Sequence, residues 1–375
     1  MSESASAFVR RIKAVGRYRV RHIYNGAPLI FCDNDYLDLS RHPAVVNAMI
    51  DYAQQWGVGA RASQFVVGYQ AIHQDLERAF ADYLERDAAL LFSTGYMANC
   101  GVMSAFLTQK DAVLADKNIH ASLIDAVMMS RARLLRYPHL DVMALERLAH
   151  AHPEARHIVT DGVFSMTGAC ADLKSIAEIA AIDQRTLVVD DAHGLGVLGV
   201  HGRGAVEHNG LGQAEVPLLI CPMGKALGVM GAVVAGDHDK IEYLTQRARS
   251  AMYTTALPPA LAAAGLAALK VMGKEAWRRQ KLQAHIDYFI QGAAALRLPV
   301  VSSYTAIQSI AFTGTRTAGH LADNLAQHNI TVYPMRPPTV AAGSSLLRIT
   351  LSVRHTQAEI QYLLERLRAA YDTVL

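Results

Sequence analysis

LVVDDAHGLGVLG, residues 187–199, ends in Gly194, Gly196 and Gly199 at the GxGxxG spacing of a dinucleotide-binding turn. Such a turn holds pyrophosphate when its first glycine leaves a strand directly and its third opens a helix whose N-terminus faces the anion. Here Asp190, Asp191, Ala192 and His193 stand between the apolar run Leu187–Val189 and Gly194. The residues that follow, VHGRGAVEHNG, are too rich in glycine to start a helix promptly. The spacing therefore argues weakly for nicotinamide. The informative feature is D-D-A-H: two acids and an imidazole at the end of a buried strand, where an open α/β sheet keeps its ligand.

Outward from this stretch, apolar runs of strand length alternate with segments of helical period from about residue 43 to 235. ALLFS (89–93), AVLAD (112–116), RLLRY (133–137), HIVTD (157–161), TLVVD (186–190), PLLIC (217–221) and GAVVAG (231–236) read as strands. AIHQDLERAFADYLER and LKSIAEIAAID between them read as helices. The alternation predicts an α/β fold with a mostly parallel sheet covered by helices on both faces. After Pro258-Pro259 come an alanine- and leucine-rich helix and a long helix through GKEAWRRQKLQAHIDYFIQGAAALR. The strands SIAFTG and LLRITLS and a last amphipathic helix, QAEIQYLLERLRAAYDTVL, close the chain as a smaller α+β domain. The expected division is an N-terminal arm over 1–35, a large domain over 36–255 and a small domain over 256–375.

Composition sets outer bounds. The 375 residues are 51% hydrophobic and 18% charged, which fits a soluble globular protein with a sizeable core. A net charge of +3 without a long lysine-arginine block gives no footprint for nucleic acid. Cys32, Cys100, Cys170 and Cys221 are far apart and in no CxxC spacing, so a reduced, cytoplasmic compartment is expected, with neither disulfides nor a zinc site. No apolar run reaches the roughly 18 residues of a membrane span. The basic opening MSESASAFVRRIKAVGRYRVRHIY shares its composition with transit peptides, but is read here as a helical arm packed on a partner.

The polar residues at strand ends carry the chemistry. Asp190 and His193 follow one strand, Lys225 sits between glycines after another, and Thr94-Gly95-Tyr96 follows a third and opens a helix. Pyridoxal phosphate requires such a set. A lysine amine condenses with its aldehyde, and a carboxylate beside the pyridine nitrogen keeps the ring electron-accepting. A helix N-terminus offers amides to the phosphate. His120, in DKNIHASL, is a candidate to cover the ring face.

At these residues the chain resembles the α-oxoamine synthases, fold-type I pyridoxal phosphate enzymes. The resemblance runs from about residue 30 to 370 through NDYLDLSRHP (34–43), GYQAIHQDLE (68–77), LLFSTGYMAN (90–99), DKNIHASLIDA (116–126), DGVFSMTGA (161–169), VDDAHGLGVLGVHGRG (189–204), MGKALGVMGA (223–232), YTTALPP (253–259) and RPPTVAAGSSLLRITLSVRH (336–355). It implies a fold-type I transferase in which Lys225 is the cofactor lysine and proton-transfer group, and Asp190 the partner of the pyridine nitrogen. His193 and Ser165 would reach the phenolic oxygen. His120 would stack on the ring and assist at the thioester carbonyl. Thr94, Gly95 and Tyr96 would hold the phosphate, joined by Thr254 or Thr255 from the other subunit of a homodimer. Arg348 would bind the amino-acid carboxylate, Asn34 would lie near the reacting centre, and Thr339 with Arg336 would line the acyl end. An N-terminal substrate arginine is implied as well, with Arg11, Arg17, Arg19 and Arg21 all candidates.

The resemblance is strongest to the branch that joins L-alanine to a pimeloyl thioester, of CoA or of an acyl carrier protein, on the way to biotin. Glycine or serine with another acyl-CoA, or a catalytically silent cofactor-binding relative, are the alternatives. The chain departs from the family pattern at Pro222, usually a threonine, and at Arg61 and Gln64 in the loop before GYQAIHQDLE. It departs again at Thr167 and Ala169, usually acidic, and at Leu346, usually an arginine.

Overall fold

The computed structural model describes every residue except 1–3, 16–17, 22, 24–28, 338 and 375. The strands, in chain order, are β1 (Leu29–Ile30), β2 (Ala88–Phe92), β3 (Ala112–Asp116), β4 (Arg133–Tyr137), β5 (His157–Asp161), β6 (Thr186–Asp190), β7 (Leu218–Pro222) and β8 (Ala232–Gly236). β9 (Val300–Val301), β10 (Ile307–Thr313), β11 (Ile330–Thr331), β12 (Tyr333–Met335) and β13 (Ser344–Thr350) follow. Strands β2 to β8 form one sheet in the order β2-β8-β7-β6-β5-β3-β4, with β8 antiparallel to both neighbours and the other pairs parallel.

These seven strands coincide with the seven apolar runs to within a residue. The reason is burial on both faces. Leu187 and Val189 of β6 point into one hydrophobic cluster while Val188 points into another on the opposite side, and Leu219 and Cys221 against Leu218 and Ile220 repeat the alternation on β7. A strand covered twice is a continuous apolar run.

Each helix start has a local cause. Thr94 caps the helix Gly95–Phe106 by accepting the amide of Met97, and Asp172 caps Leu173–Ile182 by accepting that of Ser175. Pro259 opens the helix Pro259–Lys274, where a missing N–H costs nothing. The helical pattern that begins at Gly273 is interrupted. One helix ends at Lys274 and the next, Ala276–Ala295, starts after Glu275, whose carboxylate accepts from Arg278 at 2.7 Å.

After β6 the glycine-rich stretch forms turns and no helix until the four-residue Ala205–His208, as expected from its composition. A second, antiparallel sheet has the order β12-β13-β10-β9, and β1 pairs with β11. Residues 29–36 are stitched to this second sheet: Thr350 and Val353 donate their amides to the carbonyls of Phe31 and Tyr36. The arm helix Ala5–Ala14 buries none of its residues.

Candidate active site

The chain leaves β3, β5, β6 and β7 at one edge of the large sheet, and these carboxyl ends surround a cavity of about 280 Å³. Strand order reverses between β5 and β3, the kind of crevice where open sheets bind ligands. Asp190 is the last residue of β6, and Lys225 lies three residues beyond β7. His120 caps the helix Ala121–Ser130 that follows β3. All three line the cavity, as do His193, Ser165 and Asn34. Thr94, Gly95 and Tyr96 join them at the start of the helix after β2.

Burial dominates the electrostatics. Lys225 has its pKa lowered, first by desolvation, with Asp190 and Asp161 partly restoring it. His193 is pushed well below its ordinary value by burial and then by Lys225, so its imidazole is neutral. Its Nδ1 lies 2.7 Å from Tyr36 Oη, and Tyr36 is itself fully buried with its pKa pushed up to about 12. Asp190 accepts from Asn99 Nδ2 at 2.8 Å and from the Ala192 amide at 3.1 Å. The β5–β6 register places Asp161 beside it. Asp161 is held well above its ordinary carboxylate value by burial first and by Asp190 second.

Arg348 reaches in from β13. Its Nε donates to the Ser165 carbonyl at 2.7 Å and its Nη2 to Asn34 Oδ1 at 3.0 Å, which fixes the plane of the guanidinium beside the cavity. Tyr36 Oη also donates to Asn34 Oδ1, at 3.2 Å.

Other expected residues lie elsewhere. Thr254 lines a separate small cavity with Gln64 and His73, and the Thr255 carbonyl accepts from Ser93 Oγ at 3.5 Å. Arg336 and Thr339 line a third cavity, of about 40 Å³, together with Arg19. Of the four N-terminal arginines considered, Arg19 is the one at this wall; Arg17 falls outside the described residues. Tyr333, also at this wall, stands opposite Arg348 in the β12–β13 register.

The departures have visible settings. Pro222 ends β7 in the cavity wall, and a Cβ on Gly95 would meet its ring at 2.8 Å, so residue 95 must stay bare. Arg61 adopts a φ of 67°, a conformation that favours glycine. Tyr36, Asn99, Ser122 and Asp161 were not singled out from sequence. The one signal available was that HIVTD, like TLVVD, ends in an acid.

The donor set suits pyridoxal phosphate. A buried acid faces the cavity, a half-buried amine with lowered pKa opens onto it, and the amides of Gly95 and Tyr96, ahead of the Met97 amide that Thr94 caps, begin a twelve-residue helix. The model of aminotransferases of class I and II matches residues 28–367. An 8-amino-7-oxononanoate synthase of Pseudomonas paraeruginosa is 48% identical over 346 residues, covering 92% of this chain and 86% of that protein. The crystal structure of 8-amino-7-oxononanoate synthase from Francisella tularensis superposes with a TM-score of 0.83 at 33% identity, covering 93% of this chain and 99% of the other. A serine palmitoyltransferase from S. paucimobilis, solved with PLP and myriocin bound, has a TM-score of 0.91 at 25% identity, covering 98% and 97%. Cavity, sheet order and relatives agree, and the chain belongs to the 8-amino-7-oxononanoate synthase family, pyridoxal phosphate-dependent acyltransferases of biotin biosynthesis on the fold-type I scaffold.

Proposed function

We propose that this enzyme condenses L-alanine with a pimeloyl thioester, releasing the thiol and CO2 and giving 8-amino-7-oxononanoate. The observation that carries the reading is the placement of Lys225 and Asp190 in one cavity, with Arg348 bonded to Ser165 and Asn34 of its lining. When bound, pyridoxal phosphate supplies an aldehyde that takes up the amino group and a ring that accepts the electrons of the α-carbon. Asp190 would hold its ring nitrogen, His193 and Ser165 its phenolic oxygen, and Thr94, Gly95 and Tyr96 its phosphate.

The chain's own groups then divide the work. Arg348 binds the alanine carboxylate through the planar fork that Ser165 and Asn34 already orient. Lys225, with its pKa lowered by burial, removes the α-proton and later returns one. His120, on the cavity wall, contacts the thioester oxygen. Arg19, Arg336 and Thr339 bring two guanidiniums and a hydroxyl to one small cavity with Tyr333, a setting suited to the far carboxylate of the pimeloyl chain.

We further propose a homodimer in the cytoplasm, with Thr254 or Thr255 reaching the partner's phosphate. Exposed Phe65, Val66, Val67, Tyr96 and Tyr253 supply apolar surface for such an interface. The four cysteines are free, and among the described residues no helix is long and apolar enough to cross a membrane.

The test is a panel of alanine, glycine and serine against pimeloyl, acetyl, succinyl and palmitoyl thioesters. Alanine with a pimeloyl thioester should give the highest kcat/KM. A preference for glycine or serine overturns the substrate assignment, and bound cofactor without turnover of any pair overturns the enzymatic one.

A further inference from the structure

Four side chains form an unbroken line from the floor of the cavity to its wall. Asn99 Nδ2 donates to Asp190 Oδ2 at 2.8 Å and to Ser122 Oγ at 2.7 Å, and Ser122 Oγ lies 2.6 Å from His120 Nδ1. Asn99 and Ser122 are each 1% exposed, so the bonds joining Asp190, Asn99 and Ser122 are shielded from solvent, while His120 itself is exposed. A carboxylate accepts and the Ala192 amide already serves Asp190 Oδ1, so the Asn99 atom that meets Oδ2 is the amide nitrogen. Its second hydrogen goes to Ser122 Oγ. The hydroxyl hydrogen of Ser122 is thereby left to His120 Nδ1.

A second bond has the same sense. The Ser122 backbone amide, which can only donate, points at the same Nδ1 at 3.3 Å. Two donors on one ring nitrogen make it an acceptor, and a neutral imidazole then carries its hydrogen on the other nitrogen. Desolvation lowers the pKa of His120, which favours the neutral ring.

We infer that Asn99 and Ser122 are positioning residues that lock His120 as the neutral tautomer with its hydrogen on Nε2, so that it meets the acyl thioester as a hydrogen-bond donor and not as a base. The role at the thioester rests on the function proposed above; the tautomer does not. The consequence is a division of labour: proton transfer falls to Lys225, and His120 stabilises charge on the acyl oxygen through a donor set in place before substrate arrives. The same line fixes the stacking ring relative to Asp190, which joins the electronic partner of the cofactor to its steric cover.

Histidine labelled with 15N in the cofactor-loaded protein reads the tautomer directly, with the His120 signal assigned by its loss in His120→Asn. The wild type should show a protonated Nε2 and an unprotonated Nδ1 at neutral pH. Ser122→Ala and Asn99→Ala should each mix the tautomers and lower kcat about tenfold, with KM for alanine changed by less than about twofold, the scale seen when an orienting partner of a functional imidazole is lost. Ser122→Thr, which keeps the hydroxyl, should restore both. A wild-type His120 protonated on Nδ1, or on both nitrogens, overturns the inference whatever the variants do, and so does an unchanged tautomer with unchanged kcat in both alanine variants. Failure of borohydride to fix the cofactor on the MGKALG peptide would instead sink the cofactor assignment, since the tautomer is measurable without cofactor.

Discussion

Arg348 Nε donates to the carbonyl of Ser165 across 183 residues of chain, at 2.7 Å. One bond thus ties β13 of the small sheet to the loop after β5 of the large one. The guanidinium is already oriented beside two residues that line the cavity, since Nη2 is held by Asn34 Oδ1. A group oriented in advance has less freedom to lose when it binds a carboxylate.

Replacing Arg348 with lysine keeps the charge and removes the fork. The expected result is a rise in KM for alanine and a fall in kcat/KM of about 10–100-fold, matching about 1.5–3 kcal/mol for a hydrogen bond to a charged group. KM for the thioester should hardly move. Steady-state kinetics with each substrate varied in turn checks this. An unchanged alanine KM would remove Arg348 from the carboxylate site.

Asp190→Asn is nearly isosteric and keeps an oxygen for the Asn99 amide, so the fold should survive. What it removes is the charge opposite a ring nitrogen. A fall in kcat of about 10²–10³ is expected, on the scale of losing one preorganised electrostatic partner. Asp161 also loses the neighbouring charge that helps raise its pKa. Comparable melting temperatures with wild-type kcat would show that the acid serves structure alone.

How much of this was legible in the sequence follows from what each feature depends on. Parallel strands buried on both faces leave apolar runs, so β2 to β8 could be read off directly. Asp190 and Lys225 stood out because they interrupt or follow such runs. Asn99 and Ser122 did not, because their meaning lies in bonds spanning 91 and 23 positions, and both residue types are common in helices and turns. Glu275 breaks a helical pattern without a proline, through a side-chain bond to Arg278 that periodicity does not register. Arg19 could be separated from Arg11 and Arg21 only by seeing which one reaches Arg336 and Thr339.

His355 makes acid stability predictable. Its Nδ1 accepts the Ser352 amide at 3.1 Å, its Nε2 lies 2.9 Å from the Ile30 carbonyl, and its ring stacks on Phe31 at 4.0 Å. Burial lowers its pKa from 6.5 to about 4. The unfolded chain therefore binds this proton more readily than the folded one, and stability must fall as pH drops from above 6.5 through 4. The full loss is about 3 kcal/mol at 1.36 kcal/mol per pKa unit. His355→Gln should flatten the decline of denaturant midpoint between these pH values. An identical slope in the variant would show that the proton is taken up elsewhere.

Gly168 carries the most exacting backbone in the loop that presents Ser165. Its φ is 73°, and a Cβ there would collide with the Ile307 carbonyl and sit 2.5 Å from Ser303 Oγ and 2.6 Å from Thr305 Oγ1. Those two hydroxyls also donate to the Gly168 carbonyl, at 3.1 and 3.2 Å, so the turn is clamped against β10. Gly168→Ala combines left-handed strain with overpacking, at about 2–4 kcal/mol. The loop can relieve the clash only by moving, and Ser165 moves with it, so cofactor retention should weaken together with stability. Gly319→Ala, inside the helix Thr317–Gln327 with nothing near its Cβ, is the control and should stabilise by about 0.5–1 kcal/mol. Chemical denaturation of both variants, with cofactor absorbance followed in parallel, separates the two effects. A Gly168→Ala protein as stable as wild type would mean that the turn is free to shift and that Ser165 is not held by it.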